Sequence, residues 1–329
     1  MTEQGQRVVV FGEVLCDLFS PTAGQPLSDA PVFVPHLGGA PANVAVQLSR
    51  LGIAVSLVTA VGADPLGERL RAQLEREGVD TSALQVRADR RTGATLVEVD
   101  SDGERRFFGF REKSADLALG VVDVDRPVVR RLLKDTAIVH TGTVSLVSDD
   151  ARAATLHLQD AGRRRGALLS LDVNLRPGMY PTREMLIERA LAAVDRADIV
   201  KATVEEAALL ASPSRRRRWS PRRLADTLLA RGPRLVWLTD GEGPLHLATS
   251  TTLVTIEPKR VRTVDATGAG DAFMGACLAR LLSLGVDSAR LADLDERALT
   301  QIGDAGRRAG AAAVGALGAT TKMMRRRPA

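Results

Sequence analysis

Ten residues near one end of the chain, Val264-Asp265-Ala266-Thr267-Gly268-Ala269-Gly270-Asp271-Ala272-Phe273, join a glycine-rich turn to a single carboxylate at the start of an apolar run from Ala272 to Leu284. Glycine lets a backbone approach a ligand closely, and the free N–H groups at a helix start attract anions. Gly268, Ala269 and Gly270 therefore read as a cradle for phosphate. Asp271 would repel an anion, so it does not fit as a phosphate ligand. It fits as a base that takes the proton from a hydroxyl attacking that phosphate, with the helix start expected to keep it ionised. A plainer role also satisfies the pattern, since an acidic residue in a first turn favours the helix by its charge alone.

A second cluster, Leu37-Gly38-Gly39-Ala40-Pro41-Ala42-Asn43-Val44-Ala45, is another glycine turn feeding a helix. Gly38 and Gly39 open the backbone, and Asn43 offers a donor and an acceptor. That pairing suits neighbouring hydroxyls; by itself it is also what a polar helix start after Gly-Gly looks like. Other phosphate and metal chemistries are not encoded. There is no Gly-x-x-x-x-Gly-Lys-Ser/Thr, and the first strand is followed by Gly12-Glu13-Val14-Leu15-Cys16-Asp17 rather than Gly-x-Gly-x-x-Gly. His36, His140, His157 and His246 lack metal-ligand spacing and read as surface or core residues.

The elements that must hold these clusters alternate. Short β-branched runs at Val8–Gly12, Val55–Val61, Ala137–His140, Leu168–Val173, Ile199–Lys201 and Leu235–Thr239 read as strands. One helix has Pro41 in its first turn and stops at Gly52; another has Asp64 as cap, Pro65 next and Gly78 as its stop. The alternation predicts an α/β fold, a doubly wound and mostly parallel central sheet flanked by helices. Two stretches break it. Asp17 to Leu37 is Pro-rich and non-helical, and Thr95–Val99 with Glu104–Phe110 reads as a hairpin through Asp100-Ser101-Asp102-Gly103. These extra segments predict a small β-sheet lid of residues 13–37 and 92–112 on an α/β core of residues 1–12, 38–91 and 113–329.

The 329 residues are long enough to bury a large core, and 45% hydrophobic with 26% charged residues is ordinary for a globular protein. No apolar run reaches a membrane span, and the polar start leads directly into a strand, unlike a signal peptide. Cys16 and Cys277 alone point to a reducing compartment, hence the cytoplasm. The net charge of +5 is concentrated in Arg215–Arg218 and Arg325–Arg327. With only 3% aromatic residues, stacking platforms for bases are lacking, so nucleic acid is not the expected partner.

Gly39 to Gly62, with Asn43, Ala45 and Gly52 at their spacings, resembles the first signature of the ribokinase-like (PfkB) sugar kinases, and Asp265 to Leu278 resembles the second. Gly12-Glu13-x-x-x-Asp17, Arg111-Glu112-Lys113-Ser114-Ala115-Asp116 and Asp172-Val173-Asn174-Leu175-Arg176-Pro177 are closest in pattern to the bacterial fructokinases of that family. The resemblance implies ATP-dependent transfer to a primary hydroxyl of a sugar, with D-fructose first. It leaves a 2-keto-3-deoxygluconate kinase or another ribokinase-like sugar kinase and, from a different class, a catalytically silent sugar-binding regulator, as alternatives. It implies that Asp17, Gly38, Gly39, Asn43, Arg111 and Asn174 bind the sugar. Asp271, Gly268, Ala269, Gly270 and Arg176 serve the transfer, and Lys201, Glu206, Thr239 and Gly241 meet the nucleotide. Glu206 would hold Mg2+ through water, Asp265 and Thr267 would lie at a K+ site, and a homodimer is the implied assembly. Four places depart from the pattern: Ala266, Cys277 where an aliphatic or aromatic residue is usual, Thr203 where Asn is common, and Thr239-Asp240-Gly241-Glu242-Gly243-Pro244, which is one residue short of the usual spacing.

Overall fold

Val8-Val9-Val10-Phe11 is buried on both sides, as a parallel strand sandwiched between helical layers must be. Val8 and Val10 face one layer and Val9 and Phe11 the other. This run is β1 (Arg7–Phe11) of a computed structural model that describes residues 7–20, 24, 26–99, 105–212, 219–259 and 261–326. The Asp100–Gly103 turn, Arg215–Arg218 and Arg327 lie outside the described residues.

The further strands are β2 (Leu15–Phe19), β3 (Val34–Gly38), β4 (Val55–Val58), β5 (Ala60–Gly62), β6 (Gln85–Arg87), β7 (Gly93–Val99) and β8 (Arg105–Phe110). They continue with β9 (Thr136–Gly142), β10 (Leu168–Asp172), β11 (Ile199–Thr203), β12 (Leu235–Thr239), β13 (Leu245–Ala248) and β14 (Leu253–Ile256). The helices are α1 (Ala40–Arg50), α2 (Pro65–Arg76), α3 (Val121–Val124), α4 (Pro127–Leu132) and α5 (Asp149–Arg163). After them come α6 (Arg183–Val194), α7 (Val204–Ala211), α8 (Pro221–Leu229), α9 (Ala269–Ser283) and α10 (Glu296–Ala313).

The central sheet has the order β14-β13-β12-β11-β10-β9-β1-β4. Its strands from β12 to β4 are parallel, and the antiparallel pair β13–β14 closes one edge. Helices α1, α9 and α10 pack on one face over Val44, Leu48, Trp237, Phe273 and Leu299. On the other face α5 covers β1 and β9, while α6, α7 and α8 cover β10 to β12. The doubly wound, mostly parallel fold that the sequence predicts is the fold observed. Among the described residues no helix is long and apolar enough to cross a membrane.

Two strand readings differ from the sequence expectation. The run from Val55 divides at Thr59, because β4 pairs with β1 whereas β5 turns to pair with β6. The stretch from Asp17 to Leu37, read as a non-helical part of the β lid with no strand located within it, contributes to β2 and β3 of a second sheet, ordered β3-β2-β7-β8. Its inner face carries Phe19 and Val97, which meet Leu317 of the segment after α10.

Glycines set how closely α9 approaches its neighbours. A Cβ on Gly306 of α10 would lie 2.5 Å from Cys277 Sγ and from the Phe273 ring, and one on Gly275 of α9 would lie 2.9 Å from Gln47 of α1. Close approach brings the N-terminal turns of α1 and α9 to the same point. Gly306→Ala is therefore expected to lose about 1–3 kcal/mol of unfolding free energy, although alanine is the better helix former. Gly178→Ala, which meets nothing within 4 Å, serves as control and should stay within about 0.5 kcal/mol of the parent in a denaturant titration. Equal stability of Gly306→Ala and parent would show that this glycine does not set the crossing.

Candidate active site

Parallel strands point their carboxyl ends at one edge of the sheet, where ligands of such folds bind. Here β1 ends before Gly12-Glu13, β10 ends in Asp172, β11 in Thr203 and β12 in Thr239. Two helix N-termini are aimed at the same edge. Gly39 caps α1 with φ 98° and Gly268 caps α9 with φ 78°, left-handed backbone that glycine alone adopts without strain. The turn at Gly268–Gly270 is tighter than the sequence suggested, because Ala269 and Gly270 already belong to the helix. Asp271 is its third residue; of the N–H groups ahead of it, that of Ala269 donates to the Ala266 carbonyl at 3.2 Å.

One contact joins the two clusters. Asn43 Nδ2 donates to Asp271 Oδ2 at 2.8 Å, across 228 residues of sequence. Both side chains are buried, and Asn43 Oδ1 has no partner. A carboxamide with one buried acceptor unfilled is suited to a further donor, such as a hydroxyl. Asp17, also buried, follows from β2, and Gly38 leaves it room: a Cβ there would collide with the Asp17 carboxylate. A Cβ on Gly39 would lie 2.5 Å from the Glu13 carbonyl oxygen.

The charges are arranged around Asp271. Burial pushes its pKa up to about 6; Asn43, Lys201 and Arg176 pull it down, and Asp172 pushes it further up. The helix start thus does not hold this carboxyl in the ordinary range, because desolvation outweighs it. Asp17 is pushed up to about 7, mainly by burial, with Arg111 opposing and Asp265 and Asp271 adding. Lys201 is buried between strands and pairs with both Asp172 oxygens at 3.0 and 3.1 Å. Burial alone would lower its pKa, but Asp172, Glu206 and Asp271 raise it overall.

The remaining expected residues fall into smaller groups. Arg111 forms an ion pair with Asp116 and reaches Met179 Sδ at 3.7 Å, leaving its Nε buried without a partner. Arg176 is exposed, with one guanidinium nitrogen on the Leu175 carbonyl, and Asn174 beside it has φ 32°. Thr203, at the position where Asn was expected, caps α7: its Oγ1 accepts from Glu206 N at 3.1 Å. Glu206 Oε2 accepts from Thr203 N at 2.8 Å and its Oε1 from Leu175 N at 2.7 Å. Thr239 stands in register beside Thr203, whereas Gly241 is exposed, and a Cβ added there would meet nothing within 4 Å. Asp265 is fully buried and accepts N–H groups of Thr267 and Gly318 at 2.7 Å each, while Thr267 Oγ1 is buried without a partner.

Three residues joined to this site were outside the sequence expectation. Glu13 is buried among Arg111, Asp116 and Arg176, with Oε1 accepting from Ala40 N at 3.3 Å and Oε2 unpartnered. Burial raises its pKa. Asp172 and Asp116 hold Lys201 and Arg111 respectively. Glu13 and Asp172 are acidic residues in mostly apolar stretches directly after or within a strand, which is the signal that was present; Asp116, in a polar loop after β8, carried no such signal.

The pattern of the pfkB family carbohydrate kinases matches residues 6–326. The chain is 35% identical over 288 residues to Fructokinase-1 of Oryza sativa subsp. japonica, covering 86% of this chain and 85% of that one. A fructokinase from Xylella fastidiosa, solved with bound ATP, superposes with a TM-score of 0.86 at 31% identity, covering 97% of this chain and 95% of that one. A fructokinase variant from Vibrio cholerae O395, solved with fructose, ADP and potassium ion, gives 0.84 at 27% identity, covering 98% and 97%.

The raised carboxyls make a prediction about stability. Between pH 4 and 7 the folded chain holds protons on Asp17 and Asp271 that the unfolded chain has released, so these groups lower stability as pH rises. The double variant Asp17→Asn, Asp271→Asn should gain on the parent steadily from pH 4.5 to 7.5 in urea titrations. A constant or shrinking difference across that range would show that the two sites do not desolvate their carboxylates.

Proposed function

Because the chain belongs to the pfkB family of carbohydrate kinases, we infer that it transfers the γ-phosphoryl group of ATP to a primary hydroxyl of D-fructose. The observation that carries this reading is the Asn43–Asp271 contact. In this reading the buried carboxylate stands between the N-terminal turn of α9, which faces the phosphoryl group, and the side chains that bind the sugar hydroxyls.

Phosphoryl transfer asks for in-line positioning and for stabilisation of charge rather than covalent work. In this reading Asp17, Gly39 and Asn43 orient the sugar, with Asn174 and the Gly38 backbone beside them. Asp271 accepts the proton of the attacking hydroxyl. The N–H groups of Gly268 and Gly270 face the oxygens of the transferred group, joined by Lys201 and Arg176; Ala269, expected to share in this cradle, instead donates its N–H to the Ala266 carbonyl at 3.2 Å. Thr239 and Gly241, at the end of β12, lie toward the nucleotide. Residues 13–37 and 92–112 form the lid over residues 1–12, 38–91 and 113–329, and its closure excludes water that would otherwise take the phosphoryl group.

Among the described residues no group of three or more Asp, Glu, His or Cys could hold a metal ion unaided. Glu206, its carboxylate fixed by the Thr203 and Leu175 N–H groups, would hold Mg2+ through water. When bound, it neutralises phosphate charge. The unpartnered Thr267 Oγ1 beside the buried Asp265 fits a K+ near that loop. Phe107, Phe108 and Phe110 are exposed along β8, a sheet edge suited to pairing with a second copy of the chain. A sugar acid such as 2-keto-3-deoxygluconate is disfavoured by the carboxylates of Asp17 and Glu13 and by the engagement of Arg111 with Asp116.

Fructose should drive ATP consumption with a higher kcat/KM than ribose, 2-keto-3-deoxygluconate or nucleosides. Asp271→Ala should lower kcat by roughly two to four orders of magnitude while weakening fructose binding far less. A preference for the sugar acid would replace the substrate assignment, near-normal turnover of Asp271→Ala would remove the base, and the absence of sugar-dependent ATP consumption would leave a sugar-binding regulator.

A further inference from the structure

Lys201 carries a charge that the fold would not tolerate alone. Its side chain is buried, and a Cβ on Gly270 would lie 3.1 Å from its Nζ, so the ammonium lies against the first turn of α9. That turn is the positive end of a fifteen-residue helix. Asp172, opposite Lys201 in the register of β10 and β11, supplies the counter-charge with both oxygens. An ammonium has three donors; Asp172 engages it from the strand side, leaving donor capacity toward Gly270. Asp271 stands apart from this pair and takes its hydrogen bond from Asn43.

We propose that Asp172 is a positioning residue: it holds the Lys201 ammonium against the start of α9, where Lys201 meets the transferring phosphoryl group, and keeps that ammonium from pairing with Asp271. The proposal rests on the reading of Asp271 as the base. Two carboxylates compete for one buried ammonium, and the geometry gives it to Asp172. Asp271 is then left un-neutralised and able to accept a proton. If the Asp172 charge is removed, the remaining carboxylates that act on Lys201 are Glu206 and, after it, Asp271. An ammonium drawn to Asp271 would both weaken the base and leave the phosphoryl position.

The test uses the full chain and its Asp172→Asn, Asp172→Glu and Asp172→Asn/Lys201→Met variants, assayed with fructose and ATP between pH 5 and 9 alongside thermal unfolding. The groups facing Asp271 are Asn43 from α1, Asp172 from β10, Lys201 from β11 and Arg176 from the loop after β10, with Asp17 from β2 coupled to it. Asp172→Asn is expected to lower kcat roughly ten- to a hundredfold, the scale of a misplaced group, with KM for fructose little changed. Its acid limb should move to lower pH, because the Asp172 charge that raises Asp271 is gone, and Asp172→Glu should recover part of the rate. A normal kcat, or a lowered kcat with an unmoved acid limb, overturns the proposal, the second result marking Asp172 as structural only. If Asp172→Asn does not fold, the double variant, which removes both charges, decides. It should unfold near the parent temperature and remain slow, and turnover at the parent rate overturns the proposal. A parent chain without fructose-dependent ATP consumption would instead remove the base reading on which the proposal rests.

Discussion

The hydrogen bond from Asn43 to Asp271 ties together helices that begin 229 positions apart in the chain, at Ala40 and Ala269. It exists only if α1 and α9 cross closely and point their N-termini at one place. Gly275 against Gln47 permits the crossing, Gly39 and Gly268 permit the turns that precede each helix, and Gly306 lets α10 press α9 into position. The parallel sheet beneath supplies the common direction, since each strand leads its helix away from the same edge.

That edge gathers more negative charge than a buried surface ordinarily accepts. Glu13, Asp17, Asp172, Asp265 and Asp271 are all buried there. They are accommodated in different ways. Asp265 is satisfied by two backbone N–H groups, Asp172 by Lys201, and Asp17 and Asp271 by neither to the same extent, so their protons are held more tightly than usual. A carboxyl with a raised pKa and an ordered hydrogen bond is a better proton acceptor than a solvated one. The fold bears the desolvation of these groups because its three apolar clusters on and between the helical layers are extensive.

Much of this was legible from residue types. Glycines followed by an apolar run, with Asn43 or Asp271 at a fixed offset, reveal backbone constraints that depend only on local geometry. The core strands were legible because both faces are buried and apolar residues dominate each run, with only isolated polar residues such as Ser56, His140 and Ser170 within them. The small sheet was harder. Asp17 sits within β2 as a buried carboxylic acid, so a polar residue breaks the apolar strand pattern. The antiparallel edge β13–β14 and the division at Thr59 depend on which neighbour each strand finds. The pairing of Asp172 with Lys201 and of Arg111 with Asp116, and the position of Glu13, are products of topology. The ionisation of Asp271 illustrates the limit most clearly: the helix start argued for a normal carboxylate, and only the depth of burial reverses that.

The account stands on Asp271 acting as a buried base that Asn43 orients. The most direct measurement is the pH dependence of kcat/KM for fructose in the parent and in Asn43→Ala. The parent rate should fall about tenfold per pH unit below about 6, as for loss of a single ionised base. Without the Asn43 hydrogen bond, which stabilises the charged carboxylate, that limb should move to higher pH. A parent rate that stays level down to pH 5, or a limb that Asn43→Ala leaves in place, would contradict it.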